Sequence, residues 1–160
     1  MRMWMSNVRE VAPRTDTRPA LSGAQFSDAF SITVDDDLDA RHAAQRMMSG
    51  KSWWVDALLV LRNIIVAPFG LKDGAHKDKS LDVIGIFPVV SETPDRLVAG
   101  FDDKHLDFRV VVDVSDAERG RAITATTLVM THNLLGRAYL AIIMPFHKIV
   151  VKSMLRRVAG

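Results

Sequence analysis

Residues 131–157, THNLLGRAYLAIIMPFHKIVVKSMLRR, decide the reading of the fold. The stretch opens on a polar cap, with Asn133 suited to accept an orphan N–H of a first helical turn. About 24 residues of helix pattern follow, nearly all apolar at first and basic towards the end. Taking Tyr139 as reference, Ile142, Ile143, Phe146, Val150 and Met154 fall within about 60° of it at 100° per residue. Lys148, Lys152 and Arg156 fall on the far side, and His147 lies on the border. Pro145 lacks a helical N–H and is expected to bend the helix.

What precedes that helix changes period from 3.6 to two. In residues 106–114, Leu106, Phe108, Val110, Val112 and Val114 share one face, while Asp107, Arg109, Val111 and Asp113 share the other. Such alternation belongs to an antiparallel sheet packed on one face. Residues 121–132 (RAITATTLVMTH) form a strand rich in β-branched residues. Residues 96–101 form another, set off by turns at Pro94-Asp95 and 102–105. Residues 81–90 form a further strand broken at Pro88. Upstream, residues 24–34 make a first strand with Phe30, Ile32 and Val34 on one face.

Two short helices come after that strand. Asp35, Asp36 and Asp37 are N-cap candidates for residues 38–48, which stop at Gly50. Ser52 caps residues 53–67, where Trp54, Leu58, Leu61 and Ile65 step by four, three and four. Residues 1–20 hold Pro13 and Pro19 and no sustained period, so a poorly ordered lead-in is expected there, ahead of one domain over 21–160.

Length and composition narrow the classes. At 160 residues, 48% hydrophobic and 25% charged, the chain fits one globular domain. It has no cysteine, which excludes disulfides, thiolate metal sites and cysteine nucleophiles. Its nine glycines never fall into dinucleotide, P-loop or nucleophile-elbow spacings. Nothing supplies closely spaced metal ligands, so neither a metal nor another cofactor is expected. Residues 1–27 carry four arginines but no continuous apolar run. Charges at Asp56, Arg62, Arg137 and Lys148 interrupt the two most apolar stretches. A soluble, cytoplasmic protein without a spanning helix is expected.

The net charge of +2 is unevenly placed. No acidic residue follows Glu118, whereas seven basic residues do, leaving fourteen basic against nineteen acidic over residues 1–118. Complementarity within one fold accounts for this, together with cations near the negative end of a helix dipole. A patch for an anionic surface is the alternative. Nucleic acid is not an expected partner, and the residues leave the oligomeric state open.

Several phrases are familiar together: AQFSDAF (24–30), WWVDALLVLRN (53–63), GIFPVVSE (85–92), FDDKHLDFRVVV (101–112) and THNLLGRAYLAIIMPFHK (131–148). They resemble the bacterial family known as domain of unknown function 2867. That resemblance in turn implies the helix-grip superfamily of START lipid-transfer domains, birch-pollen-type allergens and polyketide cyclases. The implied fold is α+β, a curved antiparallel sheet wrapped round a long C-terminal helix, often with an apolar ligand between them. Five or six strands are legible here, against seven in the superfamily plan. The resemblance brings no catalytic motif with it.

Three functions follow as expectations. The first is binding of a small apolar or lipid-like molecule between sheet and helix. Phe108, Arg109 and Met130 would line it from the strands, and Arg137, Tyr139, Ile143, Phe146 and His147 from the helix. Arg137 could also reach Asp107 or Asp113, and Trp53 and Trp54 read as core. The second is an enzyme of cyclase or hydratase type using His105, Asp107 and His132, since carboxylate and imidazole exchange protons near neutrality. Each has a plainer account: Asp102, Asp103 and His105 as a solvated turn, His132 as the end of a strand. The third is peripheral contact with a membrane or partner through Trp4, Lys152, Arg156 and Arg157.

Overall fold

The computed structural model describes residues 8–48, 83–84, 87–102 and 105–159. The expected second helix at 53–67, its tryptophans, Gly50 and Trp4 lie outside the described residues.

The strands run β1 (Arg9–Val11), β2 (Phe26–Val34), β3 (Val83–Ile84), β4 (Phe87–Thr93), β5 (Arg96–Asp102), β6 (Leu106–Asp116) and β7 (Arg121–Thr131). Helix α1 (Ala40–Met47) follows β2, and helix α2 (Leu134–Val158) ends the order. The seven strands form one sheet in the order β1-β2-β7-β6-β5-β4-β3. Every pairing is antiparallel. The architecture is α+β, an antiparallel sheet with a long C-terminal helix across it, consistent with the helix-grip plan.

Three details differ from the sequence reading. Val83 pairs with Pro88 and Ile84 with Phe87, so the break in the expected strand 81–90 falls before Phe87 and not at Pro88. An N–H is all that Pro88 lacks, and β3 beside it is only two residues long. Over residues 8–20, the expected lead-in instead contains β1 and a 3-10 helix, Thr15–Leu21. The two extra short strands bring the count among the described residues to seven. Finally, the cap of α1 is Asp39 and not one of the three preceding aspartates. Asp36 pairs with Arg46 and Asp37 with Arg121 instead.

The sheet has two differently furnished faces. On one, Phe30, Ile32 and Val34 of β2 meet Leu97, Ala99, Val110, Val112, Val114, Ile123 and Ala125. The alanines and Met47 of α1 close over this face with Val151, Met154, Leu155 and Val158 of α2. Leu155 and Val158 are wholly buried. Each large side chain so placed contributes roughly 1.5–3 kcal/mol. On the other face Leu21, Val98, Val111 and Leu128 make a smaller cluster beneath the 3-10 helix. Arg96 ties that helix down, bonding Asp113 at 2.6 Å and Asp16 at 2.9 Å. The Arg96 guanidinium, with Arg14, holds the Asp16 carboxyl below its ordinary range.

Asp39 caps α1 by accepting the His42 backbone N–H at 2.8 Å, and the His42 ring stands 2.6 Å from the same oxygen. These bonds, the backbone one foremost, lower its pKa from 3.8. A lowered carboxyl stabilises the fold above its unfolded value and loses that contribution as pH falls through its folded one. Asp39→Ala is therefore expected to cost about 1 kcal/mol at neutral pH. Asp39→Asn should keep most of the cap but flatten the loss of thermal stability below pH 3.8, read from melting curves between neutrality and acid.

Candidate functional site

β2 alternates, so Phe26, Asp28, Phe30, Ile32 and Val34 occupy the helix-covered face together. Four of the five are apolar and one is a carboxylate. In register across the sheet, Asp28 sits beside Thr127 of β7, which sits beside Val110 of β6. The neighbouring row runs Phe26, Val129, Phe108 and Phe101. Phe87 joins its end, with ring centroids 5.1 Å from Phe108 and 5.9 Å from Phe101. All three rings are half-buried and stacked within about 30° of parallel.

Helix α2 delivers the partner for Asp28. Asn133 starts it as expected, its side-chain oxygen accepting the Gly136 N–H at 2.9 Å. The inward line is then Gly136, Leu140, Ile143, His147, Val151, Met154 and Val158, in steps of three and four. His147 Nε2 lies 3.0 Å from Asp28 Oδ1, with side chains 12% and 7% exposed respectively. The Phe26 ring stands edge-on to the imidazole, centroids 5.8 Å apart. Asp28 Oδ2 is buried and has no hydrogen-bond partner among the described residues.

A buried carboxylate can remain in such surroundings only if its oxygens are bonded. One oxygen here is taken by an imidazole, and among the described residues nothing donates to the other. Chemically the pair can accept a hydrogen bond from a hydroxyl or amine. It can also orient the imidazole so that Nδ1 faces away from Asp28. Asp28 was missed from sequence although its signal was present: one acidic residue on the apolar face of a strand.

The other expected residues are scattered. Phe108 lies on the helix side. Tyr139 and Ile143 are half-buried on α2, whereas Phe146 is 58% exposed and points away from the sheet. Arg109 and Met130 belong to the opposite face, where Met130 packs on the smaller cluster. They cannot share a site with Phe108. Arg109 pairs with Asp102 at 2.9 Å and donates to the Phe108 carbonyl. Arg137 is exposed, and neither expected aspartate answers it: Asp107 bonds His132 and Asp113 bonds Arg96.

Of the three acid–base candidates, Asp107 and His132 do meet, at 3.0 Å, on the face away from α2. His105 turns to Asn133, whose amide nitrogen is 2.9 Å from its Nδ1. The His105 carbonyl accepts the His132 N–H, also at 2.9 Å. These contacts fasten the strand-to-helix junction. Among the described residues no group of three or more side chains could hold a metal ion.

No curated protein matches the chain. A family model described as protein of unknown function (DUF2867) matches residues 20–154, which includes β2 with Asp28, the row of phenylalanines and most of α2 with His147. The chain therefore belongs to the DUF2867 family.

Proposed function

We propose that this protein binds a small, mostly apolar molecule between the sheet and the N-terminal half of α2, and that the molecule carries a hydroxyl or amine. The observation that carries the reading is the buried Asp28–His147 pair with its unused Oδ2 acceptor. What supports the apolar part is the half-buried Phe87, Phe101 and Phe108 surface in the adjacent row. Two strand spacings and one pleat repeat put Asp28 about 12 Å from Phe108, so a ligand reaching both is a molecule of that length. A few polar groups in an apolar surround is the ordinary form of such sites.

Native mass spectrometry of the full chain isolated from its own cells tests this. A retained molecule of a few hundred daltons is expected, lost when Asp28 is replaced by leucine. A bare chain that also fails to bind an apolar fluorescent dye would refute the reading. Acid–base catalysis is a second reading, favoured by the same pair because a carboxylate bonded to Nε2 sets the imidazole's tautomer and direction. It predicts that the retained molecule is chemically altered on incubation and that His147→Gln binds it unchanged without altering it.

A further inference from the structure

We propose that the outward face of α2 docks on an anionic lipid bilayer, lying along the surface. Leu134, Ile142, Phe146 and Ile149 are 78%, 47%, 58% and 66% exposed. Their spacing of eight, four and three places them on the half of the helix opposite Gly136, His147 and Met154. Arg137, Lys148 and Arg156 are exposed on the same half. Helix α2 holds five basic residues and no acidic one. An apolar stripe flanked by cations is the pattern of a helix embedded at the headgroup boundary.

Charge decides the occupant. A second copy of this face would set two all-basic helices against each other, where like charges repel. Anionic headgroups neutralise them and accept the apolar side chains just below. The local bonds of Lys148 leave it available: it pairs with Glu10 at 3.2 Å while half its side chain stays exposed. Lys152 is half-buried and turned towards the sheet, its ammonium 5.9 Å from the centroid of the buried Phe30 ring.

Length and composition alone would allow α2 to cross a membrane: it has 25 residues and a mean hydropathy of 1.5 over its most apolar window. Its inner side is built into the fold, however, through the His147–Asp28 bond and the buried Val151, Met154, Leu155 and Val158. Lying flat satisfies both sides of the helix, and crossing would strip the inner side of its partners.

The test is co-sedimentation of the full chain with phosphatidylcholine vesicles containing or lacking phosphatidylserine. Sedimentation is expected only with the anionic vesicles and should fall steeply as salt rises. Arg137→Gln and Lys148→Gln should each weaken partition roughly fivefold. The double variant Phe146→Ser with Ile149→Ser should weaken it more than tenfold. Both serines would be solvent-exposed, and unchanged circular dichroism would show the fold intact. Equal sedimentation of all variants, no sedimentation at all, or a dimeric mass by light scattering with no vesicle binding would each overturn the proposal.

Discussion

His147→Ala is expected to destabilise the fold by roughly 3–5 kcal/mol, the range for breaking one side of a buried pair. Its carboxylate partner is only 7% exposed and already has one oxygen unmatched among the described residues. Removing the imidazole leaves the second oxygen unmatched as well, and that desolvation penalty exceeds the worth of the lost bond. At this chain length the melting temperature should drop by about 10 °C or more. Asp28→Leu combined with His147→Leu should recover most of the loss, because two apolar side chains suit a face already lined by Phe26 and Phe30. A urea-unfolding cycle over the two singles and the double measures the coupling. Additive losses would show that the pair does not act as a unit. The double variant should also lose any bound molecule while regaining stability, which separates a binding role from a structural one.

Gly136→Ala is expected to cost roughly 2–3 kcal/mol, although alanine is intrinsically favoured over glycine inside a helix by about 1 kcal/mol. The sign is reversed by contact. A methyl group at Gly136 would overlap the His105 carbonyl oxygen. That carbonyl cannot turn aside cheaply, since it accepts the His132 N–H. Moving the helix outward instead would lengthen the Asn133 cap to the Gly136 N–H. Thermal melting should show the loss, and Ala141→Gly on the exposed side should cost only about 1 kcal/mol. A stabilised Gly136→Ala variant would mean that α2 does not pack on the strand end as described.

The Asp28 carboxylate shows why the site was half legible. Its neighbours Phe30, Ile32 and Val34 mark a buried face by alternation alone, and extending that alternation by one step reaches Asp28. Nothing local, however, links residue 28 to residue 147. The partner is set by where α2 crosses β2, a distance of 119 residues along the chain. Phe146 shows the converse. Reckoning from Tyr139 put it on the wall, but the helix's rotation is anchored by Gly136 against His105 and by Leu155 and Val158 in the core. Those anchors turn His147 inward and Phe146 outward. Pro145 goes outward with it, so the carbonyl left without an N–H faces water.

For residues 131–157, then, the sequence by itself determined that a capped, mostly apolar helix with a basic end closes the chain, because cap chemistry and periodicity are local properties. It likewise determined the alternating strands that the helix lies on. Only the tertiary structure decided which side of the helix meets the sheet, since a few close contacts fix the rotation of a helix whose apolar residues extend almost all round it. That rotation joins His147 to Asp28 and leaves Leu134, Ile142, Phe146 and Ile149 facing out.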